Sequence, residues 1–234
     1  NQLPVIAGIS ALTAVTIITD NRTWDATAKL YDKNKFFRDV CDVGDGIGDG
    51  KTQFGLAAAY AIYGFAFNDD RAIRTASQTV EVILACGGVV QLLKHITGRE
   101  SPFLATTPTG AWRFFPNQLD YLKHVPKYDA FPSGHIATAF ATLTVAIENY
   151  PEKAWIPWVG YPLMAVCATG LVGTSIHWWS DIPLGVALGY SFGRLVAHPD
   201  GLTPVASGQS KTKTDLGLSV RRDGAPELAL TVQW

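Results

Sequence analysis

An all-α fold, a six-helix bundle followed by a polar tail with a β-hairpin, is what this 234-residue chain predicts. Alanine-rich apolar segments of helical length recur six times, proline and glycine stand at the breaks between them, and period-two alternation appears only near the C-terminus. With 47% hydrophobic residues, a single large core is expected. The helical domain is placed at residues 1–200 and the tail at 201–234.

The six segments run from Pro4 to Thr19, Gln53 to Phe67, Ala76 to Lys94, Gly134 to Asn149, Ala154 to Ile176, and Ile182 to His198. Tyr150-Pro151 stops the fourth, because the residue before a proline is pushed out of the helical region, and Pro199-Asp200-Gly201 ends the sixth. Two long connections, 20–52 and 95–132, are rich in charge and aromatics. Connections of that length inside a compact domain are functional or carry short helices of their own, and the second is expected to roof a site. Beyond Gly201, Leu216 to Val220 and Glu227 to Trp234 alternate around Asp223-Gly224, which is a hairpin signal. One hairpin cannot close an outer-membrane barrel.

The net charge of −1 and the absence of any Lys/Arg run longer than two residues exclude a duplex nucleic-acid partner. Three cysteines, Cys41, Cys86 and Cys167, are too few and too odd for a disulfide framework and read as small buried hydrophobes. The chain begins at Asn1, as it would after removal of a leader from a longer precursor or in a shortened recombinant chain. Residues 154–180 carry no charge and pass the length test for a membrane span, whereas Ser77, Gln78, Thr79, Glu81 and Gln91 interrupt the third segment. Lys and Arg divide nearly evenly between alternate ends, so no orientation follows. A soluble or peripheral bundle and a six-span protein both remain open.

With up-down alternation, the end of helix three, the start of helix four, the end of helix five and the start of helix six share one end of the bundle. Lys94, Pro132-Ser133-Gly134-His135, and His177 with Asp181 therefore converge. Unpaired N–H groups at a helix start attract an anion, and glycine lets the backbone approach it. In isolation Ser133 reads as an N-cap and Lys94 as a cation complementing a helix C-terminus. His177 and Asp181, four apart, allow a carboxylate to hold one ring nitrogen and leave the other free as nucleophile or base. Joint occurrence at one end points to phosphoryl transfer.

These residues resemble the type 2 phosphatidic acid phosphatase superfamily, which also holds bacterial class A acid phosphatases and vanadium haloperoxidases. The family pattern is a lysine, six residues and Arg-Pro; then Pro-Ser-Gly-His; then an arginine, five residues, a histidine, three residues and an aspartate. The second part is complete here. In the first, Lys94 and Pro102 are present but Ser101 replaces arginine; in the third, His177 and Asp181 are present but Leu171 replaces arginine. Arg99 is the nearest cation to the vacated position, and Arg113 in the roofing loop is a weaker substitute. The resemblance implies that His177 attacks phosphorus, Asp181 orients it, and His135 protonates the leaving oxygen. Lys94, Ser133 and Gly134 would hold the equatorial oxygens, with Arg99 in support. It also implies no metal and no cofactor, with vanadate as an inhibitor or, in the haloperoxidase manner, a cofactor.

Other motifs carry less. The stretch from Gly44 to Thr52 imitates a P-loop, but Asp45 stands where the first glycine belongs and no strand precedes it. The same stretch lacks the ligand spacing of an EF-hand. Asn21-Arg22-Thr23 matches a glycosylation acceptor, a pattern common by chance. His95, His124 and His198 show no ligand spacing and read as surface or loop residues. Trp112, Phe114 and Phe115 pack the roofing loop or wall an apolar chain. The leading expectation is a phosphatase in a bacterial cell envelope, on the periplasmic side, acting on a lipid-linked or small organic phosphomonoester. It would be soluble or membrane-associated, with a membrane surface as a further partner. A catalytically impaired relative serving as a binding or structural subunit is the alternative.

Overall fold

The structure is a computed structural model and describes residues 3–198, 213–220 and 226–233. The chain divides into two units, residues 1–198 and 199–234. The first holds eight α-helices among its described residues, two more than the hydrophobic pattern separates.

Helix α1 (Leu3–Lys33) runs well past the predicted Thr19, because neither proline nor glycine interrupts the chain between Thr19 and Asn34. Thr16, Thr19, Thr23 and Thr27 each donate their hydroxyl to the carbonyl four residues back, which lets polar side chains sit on this helix. Asn34 caps α2 (Lys35–Gly48), accepting the Phe37 N–H at 3.0 Å. The segment 20–52, read from sequence as a connection, is therefore almost wholly helical. Its apolar residues form one stripe rather than a run, so α2 escapes a search for continuous hydrophobic segments. Its buried Gly44 lies against α7 (Trp155–Gly173): a Cβ there would come within 3.2 Å of the Gly170 Cα.

Asp49 and Asp69 then cap α3 (Gly50–Phe67) and α4 (Asp70–Thr97). A six-residue helix, α5 (Gln118–Lys123), lies inside the roofing connection. Helices α6 (Gly134–Asn149), α7 (Trp155–Gly173) and α8 (Asp181–Ala197) complete the unit. α6 sits in the middle, packed on α8, α4 and α7. A core of Val82, Cys86, Val90, Ala137, Ala141 and Val145 joins α4 to α6. In the second unit, β1 (Lys213–Val220) pairs antiparallel with β2 (Pro226–Gln233), Leu216 opposite Leu230. The predicted turn at Asp223-Gly224 lies outside the described residues.

The roofing connection folds around one buried acid. Glu100 accepts the N–H groups of Thr106 and Ala111 at 2.9 and 3.0 Å and pairs with Arg113 at 2.6 Å. Burial alone would raise its carboxyl, but these hydrogen bonds and the Arg113 guanidinium outweigh it and hold the group below the usual carboxylate range. A depressed folded-state value means stability that is present above the unfolded value, about 4.3, and lost as pH falls through the folded one. The melting midpoint should therefore drop on acidification below about pH 4.3, and Glu100→Gln should flatten that dependence. An identical pH profile in the variant would remove Glu100 as the cause.

Candidate active site

The predicted convergence depends on how α6 begins. Ser133 caps it, with Oγ accepting the Ile136 N–H, and its own N–H donates to the Asp181 carbonyl at 3.0 Å. The start of α6 is thus tied to the start of α8. Lys94, in the last turn of α4 and almost fully buried, lies against this point: a Cβ on Gly134 would sit 3.7 Å from its Nζ. That is ordinary van der Waals contact, so the ammonium packs directly against the helix start. The Lys94 Nζ also lies 3.5 Å from the Asp129 carboxylate.

His135 and His177 face one another. His135 Nδ1 stands 3.3 Å from His177 Nε2, with the rings nearly perpendicular. The other nitrogen of His177, Nδ1, is 2.8 Å from the Ala130 carbonyl oxygen. A carbonyl only accepts, so Nδ1 carries the proton and the neutral ring presents a lone pair at Nε2. The Asp181 carboxylate is 3.5 Å from Nδ1 and acts on it through charge rather than a short hydrogen bond. Sequence spacing expects Asp181 to hold this nitrogen; the carbonyl has that place because Asp181 is engaged elsewhere.

Its engagements form a sealed polar knot. Asp181 accepts the Trp178 N–H at 2.7 Å and Arg99 Nη1 at 2.5 Å. Arg99 is fully buried; Nη1 also donates to Ser180 Oγ at 2.6 Å, and Nη2 donates to Asp20 at 2.7 Å and to the Thr109 carbonyl at 2.8 Å. Its guanidinium carbon lies 4.7 Å from the Trp112 ring and 5.3 Å from that of Trp178. Asp20, from α1, accepts the Ser180 N–H at 3.1 Å and bonds the same hydroxyl. Gly98 makes this placement feasible. With φ of +54° it ends α4, and a Cβ there would meet the Arg113 carbonyl carbon at 2.9 Å.

The structure thus brings Lys94, Ser133, Gly134, His135 and His177 together, with Asp181 behind His177. Arg99 is placed on the far side of Asp181, its outer nitrogens occupied within the protein. Arg113 is taken by Glu100. Ser101 is buried at the start of a 3₁₀ turn, and Leu171 is fully buried among Ile136, Cys167, Ala168 and Ile182. Asp20 and Ser180 were not found from sequence. The available signal was that Asp20 is the first acidic or basic side chain in a chain that opens with an apolar helix. A cavity of about 870 Å³ opens near the start of α4, at the other end of the bundle, lined by Tyr60, Tyr63, Tyr150 and Trp155, and contains none of these site residues.

A sequence model of the PAP2 superfamily matches residues 76–199, more than half of the chain. The chain belongs to the PAP2 superfamily. Over 68 residues it is 34% identical to a lipid A 1-phosphatase of Porphyromonas gingivalis, a stretch making up 29% of this chain and 15% of that relative's length. Its fold is similar to that in the crystal structure of the first transmembrane PAP2 type phosphatidylglycerolphosphate phosphatase from Bacillus subtilis, with a TM-score of 0.55 at 14% identity. That match covers 86% of this chain and 98% of the other, and at such identity it speaks for the fold alone. Two helices of this PAP2 protein, Asp70–Thr97 and Trp155–Gly173, are long and apolar enough to cross a membrane, which is compatible with membrane association.

Proposed function

We propose that this PAP2 protein is a membrane-embedded phosphatase that removes the phosphate of a lipid-linked monoester through a phosphohistidine on His177, on the periplasmic side of a bacterial envelope. The observation that carries the reading is the Nε2 of His177, which the Nδ1 hydrogen bond to the Ala130 carbonyl leaves as the acceptor nitrogen, facing His135 at the start of α6. Nε2 attacks phosphorus in line with the leaving oxygen. Lys94 and the α6 N–H groups stabilise the equatorial oxygens, and His135, which takes up a proton as the anionic phosphate enters, gives it to the leaving oxygen and is left neutral. A water then takes the phosphoryl group from Nε2, with His135 as its base. No phosphoryl group fits between nitrogens 3.3 Å apart, so substrate entry requires the His135 ring to turn away.

Membrane embedding is supported by the outward faces of the bundle. Leu12, Val15 and Ile18 of α1, Phe54, Ile62 and Phe65 of α3, and Leu84 and Leu92 of α4 are all exposed. Trp155, Trp158 and Tyr161 are exposed at the start of α7, the end away from His177, where an aromatic belt belongs. Glu81, near the middle of α4, is exposed as well and interrupts this apolar face. The relative that is 34% identical over 68 residues is a lipid A 1-phosphatase, which supports a lipid substrate.

The test is release of inorganic phosphate from phosphatidic acid in vesicles, with and without vanadate. Inhibition by vanadate and an acid-labile phosphoryl label on His177 are expected. Leu171 favours a second reading, a catalytically impaired binding subunit, because an apolar residue fills the place of a phosphate-gripping arginine. Absence of both turnover and label would select it. Restoring the family residue by Leu171→Arg is expected to lower the melting midpoint rather than raise activity, since it drives a charge into an apolar cluster. Gain of activity in that variant would show that the cluster opens onto the phosphate site.

A further inference from the structure

We propose that the segment from Phe114 to Leu122 is an interfacial keel, seated in the lipid leaflet beside the active site, from which lipid-bound substrate is taken. The inference rests on the lipid-phosphatase reading for the substrate but not for the keel itself. Three observations carry it.

The first is position. α5 does not cap the bundle from above; it lies along the flank of α4. Gln91 Nε2 donates to the Tyr121 hydroxyl at 3.1 Å, the Tyr121 ring stacks on His95 at 3.9 Å, and His95 also meets Gln118. A 28-residue helix is about 42 Å long, against a hydrocarbon core of about 30 Å, so its last turns stand at the level of the headgroups. α5 is fastened to those turns, and outward Leu92 of α4 continues the apolar surface next to it.

The second is the sidedness of the segment. Tyr121 is buried against α4, and Asp120 turns to Tyr128, His124 and Lys127. Leu119 and Leu122, three apart and so on one face, are 71% and 69% exposed, and Phe114 is exposed just upstream. Lys123 has no ion-pair partner among the described residues and is exposed beside them, suited to lipid phosphate.

The third is backbone strain. Phe115 has φ of +52°, a region that bulky residues avoid, and its N–H donates to the Ile96 carbonyl at 2.8 Å. The strained conformation delivers a side chain that is 75% exposed. Burial of that ring in lipid supplies a reason for the strain that water does not.

The test uses the full chain reconstituted in phosphatidylcholine vesicles. A fluorophore on Leu119→Cys should be quenched by lipids carrying a spin label on the acyl chain, and one on Lys123→Cys should not; the native Cys41, Cys86 and Cys167 are buried. In a second arm, Phe115→Ser with Leu119→Ser and Leu122→Ser should lower turnover of phosphatidic acid in vesicles about tenfold while leaving hydrolysis of water-soluble p-nitrophenyl phosphate unchanged. An unquenched Leu119→Cys label, disulfide-linked dimers through that cysteine, or an equal loss on both substrates would overturn the keel. Quenching in a protein that hydrolyses neither substrate would keep the keel and remove the phosphatase reading.

Discussion

His177→Ala is expected to abolish phosphate release, by roughly a thousandfold or more, while the helical unit stays folded. The ring's partners are neutral, the Ala130 carbonyl at Nδ1 and the His135 ring at Nε2, so its loss leaves a small buried space rather than an unpaired charge. The stability change should stay within about 1–3 kcal/mol. Catalysis loses more, because Nε2 is the atom that would bond phosphorus and an alanine side chain offers no nucleophile in its place. Lys94→Ala should cost less, about 10²- to 10³-fold, the range for removing one donor from a site that stabilises transition-state charge. Rates measured with phosphatidic acid, alongside circular dichroism to confirm folding, decide the ordering. Equal activity in wild type and His177→Ala would end the enzymatic reading and leave the binding-subunit alternative.

The helical class and the convergence of Lys94, Ser133, His135 and His177 are legible because each rests on local rules. Apolar runs mark helices, proline and glycine mark their ends, and alternation places alternate ends together. α2 was not legible as a separate helix because its apolar residues form a stripe. The partner of His177 Nδ1 was not legible either. Spacing of four brings Asp181 near, but which acceptor gains the short contact depends on where the roofing connection returns Ala130, and that is a tertiary fact. The same holds for Arg99. Two residues from a vacated arginine position, it reads as a replacement; only the fold shows that Asp20, some eighty residues earlier, claims it.

Arg99→Ala is expected to produce the largest loss of stability of any single substitution here, about 3–5 kcal/mol, because it strips the cation from a buried cluster and leaves the carboxylates of Asp20 and Asp181 without compensation. Arg99→Lys should recover part of the stability. An ammonium is a compact charge and cannot span both acids as the guanidinium fork does, so one of them stays unpaired. Since Asp181 stands behind His177 and not in the phosphate pocket, the lysine variant should lose kcat with little change in KM. Asp20→Asn should show the same split more weakly, because an amide still accepts the Ser180 N–H. Melting midpoints in detergent, with kcat and KM on a soluble phosphate ester, separate this positioning role from direct contact with substrate. If Arg99→Ala melted like the wild type but bound vanadate more weakly, the guanidinium would be a phosphate ligand after all, and the buried cluster would have to open during the reaction.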